Sequence, residues 1–374
     1  MDKSKKILLI TENLGSGGAE RQICGLAVML TQTGYTCRLI TYVYNQYFEQ
    51  FLHDNGVDYQ FVAELRNKFT RVAKIAKYVR NYKPDVVLSF LSSVNMTMCL
   101  AKPYFNAKLI VSERNNNTCI TMRDRLRYNL YRRADAIVPN SNSQAEFIRK
   151  NFPFLSKKVQ TIINFVDSKR FSPTAVPAQN SPLRIITVAR YSAQKNVLIY
   201  MDAIRKVKDM GLPVHFDWYG DRVHNNKCYY AEVEKVYDSL DIADYLTLHD
   251  SSSTIEEEFR KADVFCLPSL FEGYPNVVVE AMACQLPVLC SNVYENPHII
   301  EDCVNGFLFD PSDSNDIAAS IKKMTGLSAE ERLAMGKRNR ELCVERNTKE
   351  AFLRNYKELI DRLRNAFWHN GTRM

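Results

Sequence analysis

The feature that most constrains the fold of this chain is a repeated alternation of short apolar runs with amphipathic helical stretches. In the first half, apolar runs typical of buried strands cover residues 7–11, 37–43, 59–62, 86–90, 109–112 and 136–139. Helical patterns lie between most of them, at residues 19–30, 69–82, 124–133 and 143–151. Nearly continuous apolar strands that alternate with helices indicate a parallel sheet with both faces covered.

The alternation stops at residues 172–182 and then begins again. That segment contains three prolines and no amphipathic period, which predicts a linker. Strand patterns follow at residues 185–189, 215–219, 245–249, 264–267, 287–290 and 306–309, and the chain is helical from residue 313 onward. We therefore predict an α/β fold of two doubly wound, Rossmann-like domains that face each other across a cleft, with ligand sites at the carboxyl ends of the strands.

The predicted boundaries give a first domain at residues 1–171, the linker at 172–182, a second domain at 183–347 and a final helix at 348–374 that packs back on the first domain. The composition, 46% hydrophobic and 25% charged, excludes a disordered or fibrous chain. Residues 86–101 form the longest uncharged stretch, which is too short and too polar for a spanning helix, and the amino-terminal run is not a secretion signal.

The cysteines and histidines do not have the spacing of a metal site. None of the ten cysteines forms a CxxC pair, and the six histidines are scattered along the chain. We expect reduced, buried thiols in a cytoplasmic protein and no metal ion.

Positive charge is concentrated in the first half of the chain. Residues 1–170 carry 26 Lys and Arg against 13 Asp and Glu, whereas residues 171–374 carry 24 against 29. Two stretches, 66–80 and 123–133, hold much of the excess. They predict contact with an anionic membrane surface or an anionic acceptor, although two solvated helix faces would have the same composition. Nucleic acid is not expected, because no zinc-finger, RNP or basic-zipper pattern is present.

The most informative local pattern is the string at residues 267–283. A strand ends, a Gly-containing loop follows, and Asn276 is positioned to cap a new helix. Glu272 lies in the loop and Glu280 lies about one turn into the helix. Loop amides and a helix start form a site for an anion or a hydroxyl, although Glu280 could instead be a solvated first-turn acid.

Two further loops follow the first strand of each predicted domain. Arg190 and Lys195 are placed to bind a leaving diphosphate, although they could also be two exposed loop cations. Gly17 and Gly18 would let backbone approach a phosphate at a helix start. A dinucleotide site is not expected, since no acidic residue follows the second strand.

With these motifs together, nearly the whole chain resembles a family 4 retaining glycosyltransferase of the GT-B architecture (glycosyl transferases group 1). The resemblance rests on Gly-Gly-Ala-Glu at 17–20, Ile-Asn-Phe-Val-Asp at 163–167, the Arg190 and Lys195 pair, and the Glu272 and Glu280 string. It implies a nucleotide-sugar donor held mainly by the second domain, an acceptor held by the first, and no cofactor.

The resemblance also implies roles for single residues. Glu280 would bind the donor ribose, Arg190 and Lys195 the diphosphate, and Glu272 with the following amides the hydroxyls of the donor sugar. The implied donor-binding residues are Gly17, Gly18, Arg190, Lys195, Tyr219, Gly220, Asp250, Ser251, Glu272, Gly273, Tyr274, Pro275, Asn276, Val277 and Glu280.

One position departs from the family pattern. Many members carry a His after the fifth strand of the first domain, where this chain has Glu113 and Arg114. We predict catalytic roles for Glu113, Glu272, Arg190 and Lys195, and acceptor contacts for the residues Arg114, Asn140 and Ser141.

The implied reaction moves a hexose or N-acetylhexosamine, with retention, from a UDP-sugar in preference to a GDP-sugar. The acceptor would be a sugar hydroxyl of a lipid-linked oligosaccharide or polysaccharide precursor, such as lipopolysaccharide or capsule, at the inner face of the plasma membrane. No Asp-x-Asp motif is present, so cations and amide dipoles would stabilise the leaving group. A nucleotide-sugar epimerase of the same fold and a non-catalytic nucleotide-sugar binding protein remain open alternatives.

Overall fold

The computed structural model describes residues 5–65, 67–114, 120–175, 177–222 and 227–371. The chain forms two compact units. The first comprises the chain up to Phe165 together with the chain from Lys349 onward, and the second is Val166–Thr348. The segment predicted as a linker, residues 172–182, falls inside the second unit.

The first unit contains a parallel sheet of six strands in the order β3-β2-β1-β4-β5-β6. Its strands are β1 (Lys6–Ile10), β2 (Thr36–Thr41), β3 (Asp58–Phe61), β4 (Val86–Phe90), β5 (Lys108–Glu113) and β6 (Ala136–Pro139). The helices between them are α1 (Gly18–Gln32), α2 (Glu49–Asp54), α3 (Lys68–Tyr82), α4 (Ser92–Ala101), α5 (Met122–Leu130) and α6 (Asn142–Asn151).

The second unit repeats this plan with the order β12-β11-β10-β7-β8-β9, again all parallel. Its strands are β7 (Leu183–Val188), β8 (Val214–Tyr219), β9 (Leu246–His249), β10 (Val264–Leu267), β11 (Val288–Ser291) and β12 (Gly306–Phe309). Its helices are α7 (Val197–Asp209), α8 (Lys227–Leu240), α9 (Ile255–Lys261), α10 (Asn276–Ala283), α11 (Asn296–Ile299), α12 (Ser314–Gly326) and α13 (Ala329–Arg346). The last helix, α14 (Lys349–Gly371), belongs to the first unit.

Both sheets have the strand order of a doubly wound fold, so the predicted Rossmann-like class is confirmed. In this order, the chain winds outward from the first strand and then returns to its other side. The reversal falls between β1 and β4 in the first unit and between β7 and β10 in the second. Loops that follow these strands diverge at the carboxyl edge and leave room for a ligand there.

The alternation of side chains between the two faces of each strand explains the two core layers of the first unit. Ile7 and Leu9 lie in a cluster on one face of the sheet, together with residues of α1 and α14. Leu8 and Ile10 lie in a second cluster with residues of α3 to α6. Because side chains alternate across a strand, a continuous apolar run fills both layers.

Two helices of the first unit, α2 and α4, were not predicted from the sequence. The uncharged stretch 86–101 divides into β4 and α4 at Leu91, whose φ of 78° turns the chain sharply. Apolar residues run through both elements without a change of composition, so the pattern gave no sign of the boundary.

The described helices and cysteines bear on two expectations. No described helix is long and apolar enough to cross a membrane. Of the eight cysteines whose side chains the structure describes, all are unpaired and seven are buried, whereas Cys303 is exposed and does not fit the expectation of buried thiols.

Candidate functional site

At the reversal point of the second sheet, the loop after β7 is hydrogen-bonded to the loop after β10. The backbone nitrogen of Leu270 donates to the carbonyl of Gln194 at 2.9 Å, and the Gln194 amide donates back to the carbonyl of Phe271 at 2.9 Å. The buried Asn196 side chain donates to the carbonyls of Pro268 at 3.0 Å and Pro311 at 2.7 Å. These bonds fix the two loops against each other at the carboxyl edge.

Two of the predicted catalytic residues meet in these loops. Lys195 Nζ lies 2.5 Å from Glu272 Oε1, and the two side chains are 13% and 8% exposed. The sequence motifs placed a cation and a carboxylate at this edge but did not indicate that they form an ion pair. A pair that is this shielded interacts strongly, because little water screens it, and each partner depends on the other for charge compensation.

Arg190 lies in the same loop as Lys195 but differs from it in exposure and in partners. Its side chain is exposed, and no hydrogen bond or ion pair to it occurs within the described part of the chain. A guanidinium offers several donors in a fixed plane that suits phosphate oxygens. Arg190 is therefore available to an anion at this edge.

The helix α10 begins one residue earlier than a cap at Asn276 would require. Pro275 occupies the N-cap position and Asn276 is the first helical residue, so the predicted capping role of Asn276 is wrong. Proline lacks a backbone hydrogen-bond donor and tolerates this position at a helix start. Glu280 lies in the second turn and is buried.

Of the loop residues between Glu272 and α10, Tyr274 points into the protein. Its hydroxyl accepts a hydrogen bond from Asn347 Nδ2 at 2.5 Å, and burial raises the pKa of the phenol. Gly273 and Val277 are half-buried. The Tyr274 side chain is therefore occupied inside the protein, and only the Tyr274 backbone is available for the predicted contact with a donor sugar.

The predicted base-binding region lies at the ends of β8 and β9. Tyr219 stacks on His249 with ring centroids 4.3 Å apart and planes at 7°. Gly220 passes so close to the β7 end that a Cβ there would lie 2.2 Å from the Ala189 carbonyl, which requires glycine. Asp250 forms a 2.9 Å ion pair with Arg222. Ser251, also predicted here, is exposed.

A partly buried polar network beside this region was missed by the sequence analysis. Asp217 Oδ2 accepts from Arg184 Nε at 2.6 Å, and Asp217 Oδ1 lies 2.6 Å from His249 Nε2. Arg184 also pairs with Glu258 at 3.0 Å, and Tyr219 donates to the same carboxylate at 2.8 Å. The only sequence signal was the alternation of polar residues on one face of β8, and no motif surrounds them.

In the first unit, Gly17 and Gly18 begin α1. Gly17 is the N-cap, and a Cβ there would lie 2.2 Å from Glu20 Oε2. Burial raises the pKa of Glu20, and the nearby Glu12 acts in the same direction. Gly17 therefore leaves space that the Glu20 side chain occupies at the helix start.

The predicted catalytic Glu113 is enclosed in the helix layer of the first unit. Its side chain is 0% exposed. Oε1 accepts from Asn95 Nδ2 at 3.1 Å and from the Tyr131 hydroxyl, and Oε2 accepts from Ser92 Oγ at 3.1 Å. Arg127 Nη1 lies 3.7 Å from Oε2. The carboxylate is thus fully engaged by its own unit, and it has the surroundings of a structural residue.

Arg114 and Ser141, predicted as acceptor contacts, also have internal partners. Arg114 donates to Asn164 Oδ1 at 2.6 Å and to the Tyr356 hydroxyl at 3.2 Å, and its guanidinium lies 3.7 Å from the Phe90 ring centre. Burial lowers the pKa of this guanidinium. Ser141 caps α6 by accepting from the Gln144 backbone at 3.3 Å.

Asn140 differs from these two residues. Its backbone nitrogen donates to the Glu113 carbonyl at 3.1 Å. Its buried Oδ1 has no hydrogen-bond partner within the described part of the chain. The structure therefore brings Lys195, Glu272 and Arg190 together at one edge, and it gives Glu113, Arg114 and Ser141 internal contacts. Among the described residues, no group of three or more His, Cys, Asp or Glu could hold a metal ion.

Two family models together match most of the chain. Residues 16–170 match the model described as Glycosyltransferase Family 4, and residues 168–342 match the model described as Glycosyl transferases group 1. The chain belongs to the family 4 glycosyltransferases of GT-B architecture. The predicted family is thereby confirmed.

Curated relatives of this chain include other glycosyltransferases. The putative colanic acid biosynthesis glycosyltransferase WcaL of Escherichia coli is 28% identical over 57% of this chain and 53% of its own length, so the chain spans about half of that relative. An N-acetylgalactosaminyltransferase of Campylobacter jejuni, named for an N-acetylgalactosamine-N,N'-diacetylbacillosaminyl-diphospho-undecaprenol acceptor, is 24% identical over 86% of this chain and 90% of its own length.

Solved structures share the fold of this glycosyltransferase. The HepE protein of Anabaena, solved in complex with UDP, matches with a TM-score of 0.83 at 17% identity, covering 96% of this chain and 100% of that chain. At this level of identity the likeness shows the fold alone.

Proposed function

We propose that this glycosyltransferase moves a hexose or N-acetylhexosamine from a UDP-sugar to a sugar hydroxyl of a lipid-linked oligosaccharide or polysaccharide precursor, with retention of configuration. The observation that carries the proposal is the Lys195–Glu272 ion pair at the reversal point of the second sheet, with the exposed Arg190 in the same loop. A cation, a carboxylate and loop amides at one edge match the diphosphate and the hydroxyls of a nucleotide sugar.

The chemistry follows from where charge develops. As the bond between the anomeric carbon and the diphosphate breaks, negative charge collects on the diphosphate, and Arg190 and Lys195 neutralise it. The acceptor oxygen forms its bond to the same face of the anomeric carbon, and the acceptor proton passes to the departing phosphate oxygen. For this, Lys195 exchanges Glu272 for the diphosphate when the donor binds, while Glu272 holds donor-sugar hydroxyls and Glu280 holds the ribose.

Two relatives support the choice of substrates. HepE of Anabaena was solved with UDP, which favours a uridine nucleotide. The Campylobacter relative is named for a diphospho-undecaprenol acceptor and for an alpha linkage, which favours a lipid-linked glycan. Both substrates are carried to this chain as part of the proposal.

The test is a transfer assay with a panel of UDP- and GDP-sugars and polyprenyl-diphosphate-linked glycans. We expect nucleoside diphosphate release that depends on the acceptor, an anomeric configuration retained by NMR, and unchanged rates in a chelator. Conversion of the donor without an acceptor would indicate an epimerase, and donor binding without turnover would indicate a binding protein. Loss of transfer on chelation, restored by magnesium or manganese, would contradict a metal-free diphosphate site.

The surface of the first unit supports peripheral association with the cytoplasmic face of a membrane. The exposed side of α3 presents Lys74, Lys77 and Arg80. On α5, Met122 is 82% exposed and Leu126 is 57% exposed. The neighbouring Arg123 and Arg125 are exposed as well. Exposed apolar side chains among cations are typical of surfaces that bind anionic lipids.

Vesicle co-sedimentation tests this part of the proposal. Binding to anionic vesicles should appear at low salt, fade at high salt, and weaken when Lys74, Lys77 and Arg80 become Glu, since each such cation contributes ~1 kcal/mol near an anionic surface. The matched control exchanges three exposed lysines of the second unit for Glu: Lys322, Lys323 and Lys337. If both triple variants lost vesicle binding equally, net charge alone would be responsible. If the wild-type protein did not bind anionic vesicles, the proposed association with a membrane surface would be wrong.

A further inference from the structure

Two exposed tyrosine rings stand at the carboxyl edge of the first sheet, in the loop between β2 and α2. Tyr44 is 59% exposed and Tyr47 is 66% exposed. Neither has a role in the reaction described above. Exposed aromatic rings that occur together in one loop, rather than singly, are candidates for a binding site.

Each exposed ring rests against an inner ring. Tyr44 meets Phe61, the last residue of β3, edge to face with centroids 5.5 Å apart. Tyr47 meets Phe48 in the same way at 4.9 Å, and Phe48 packs on the core cluster beneath α1. The Asn45 side chain accepts a hydrogen bond from the Tyr47 backbone nitrogen at 3.1 Å and fixes the loop between the two rings. The rings are therefore preorganised, and a ligand that stacks on them loses little entropy in ordering them.

The tyrosine loop is bonded to the loop that follows β1. The backbone nitrogens of Tyr42 and Val43 donate to the Glu12 carbonyl at 3.2 and 2.9 Å. A Cβ on Gly15 would lie 3.5 Å from Asn45 Nδ2. The two rings thus stand beside the glycine-containing segment that leads into α1, at the edge where the doubly wound fold binds its ligands.

The charge beside the rings differs from that of the basic surfaces of the same unit. Glu64 Oε2 accepts a hydrogen bond from the Tyr44 backbone nitrogen at 3.2 Å, and Glu49 begins α2 two residues after Tyr47. These acids disfavour binding of an anionic lipid surface or a phosphate at the rings. Aromatic rings flanked by the amides of Asn45 and Gln46 instead suit an uncharged ligand with apolar ring faces and many hydroxyls.

We infer that Tyr44 and Tyr47 form a stacking platform for a neutral sugar ring of the acceptor glycan, one or more residues away from the hydroxyl that is glycosylated. The inference rests on the proposed function for its acceptor class. A sugar ring on these tyrosines positions the glycan beside the α1 start without taking part in bond making or breaking. Such a platform makes acceptor affinity increase with glycan length.

The test measures binding of uncharged, water-soluble oligosaccharides of hexose and N-acetylhexosamine units by saturation-transfer NMR. The wild-type chain should bind at least one of them equally at low and high salt. The double variant Tyr44→Ala/Tyr47→Ala should bind it about tenfold more weakly or worse, the loss expected for two aromatic contacts. Tyr44→Phe/Tyr47→Phe keeps the rings and should retain most of the affinity. Tyr104→Ala removes a 63% exposed tyrosine elsewhere on the unit and should change nothing.

Other readouts separate this inference from the proposed function. The double variant should keep its thermal shift with UDP and, in transfer assays, should raise KM for long acceptors without lowering kcat. Three results would each overturn the platform. The wild-type chain binds none of the oligosaccharides, the double variant binds them as well as the wild-type chain does, or the double variant loses vesicle binding. If no nucleotide sugar supports transfer, the proposed function fails, while loss of oligosaccharide binding in the double variant would still support the platform.

Discussion

The carboxyl edges of the two sheets have the same topology but differ in how deeply their charged groups are buried and in what those groups contact. In the second unit, Lys195 pairs with Glu272 and lies in one loop with the exposed Arg190. In the first unit, Glu113 is fully buried beneath α4 and α5 and bonded on both oxygens. Strand order therefore determines where charged groups collect, and burial determines whether a substrate can reach them.

The distance along the chain from the strand end explains the difference. Glu113 is the last residue of β5, so its side chain still projects from the sheet into the covering helices. Glu272 follows the end of β10 at Leu267 by five residues, and Lys195 follows the end of β7 at Val188 by seven. A strand residue of a doubly wound sheet meets a helix on either face, whereas a loop residue beyond the edge does not.

The largest expected effect is that of Lys195→Ala. Loss of a cation that neutralises the leaving diphosphate should lower kcat by about 10²–10³-fold, the range for one preorganised electrostatic contact. Stability should fall less, by about 1–3 kcal/mol, because Glu272 loses a partner in a shielded site. Initial rates and urea unfolding measure the two quantities on the same preparations.

Lys206→Ala is the matched control, since Lys206 is also an ion-paired lysine of the second unit. It bonds Asp202 at 3.2 Å and Ser314 at 2.6 Å. We expect it to keep its kcat. If Lys206→Ala were as inactive as Lys195→Ala, loss of any ion pair in this unit would explain the result, and the comparison of the two edges would fail.

Glu280→Ala should weaken the binding of the nucleotide sugar. A hydrogen bond between a charged acceptor and the donor ribose contributes about 1.5–3 kcal/mol, which corresponds to a roughly ten- to hundredfold change in Kd. Calorimetric titration measures it, with Glu345→Ala, an exposed acid of α13, as the control. Unchanged donor affinity in Glu280→Ala would leave Glu280 as a buried helix residue with no part in the site.

The sequence predicted the fold, and two of the residues that it singled out, Lys195 and Glu272, meet at the edge of the second sheet. Apolar runs and their spacing determined strands and helices, because burial on both faces requires that pattern. The loop motifs around Lys195 and Glu272 were visible because the type and spacing of loop residues reflect the site more than the core.

The Glu113 network could not be predicted in the same way. Its partners come from α4, which the sequence analysis did not predict, and from Tyr131 and Arg127, which appeared as part of a basic surface stretch. No local pattern shows that residues this far apart in the chain converge on one carboxylate. The exposed Tyr44 and Tyr47 were missed for the opposite reason, since exposure of a single aromatic residue has no sequence signature.

The smallest expected effect is that of Glu113→Gln, and it is a loss of stability with little loss of turnover. The exchange puts an amide donor where Oε1 or Oε2 accepts hydrogen bonds, so it opposes the donors of Asn95 and Tyr131 or of Ser92 and Arg127. One unsatisfied buried group costs about 1–3 kcal/mol. The free energy of unfolding in urea should fall by that amount, while kcat, measured well below the unfolding midpoint, should stay close to the wild-type value.

The same exchange at an exposed carboxylate of the first unit, Glu146→Gln on α6, provides the control and should change neither quantity. Arg127 keeps its 2.9 Å pair with Asp124 in Glu113→Gln, so the network is weakened but not dismantled. A large fall in kcat with unchanged stability would mean that Glu113 acts on the substrate after all. In that case burial in the unliganded chain would be a poor guide to function at this edge, and both edges would contribute charged groups to catalysis.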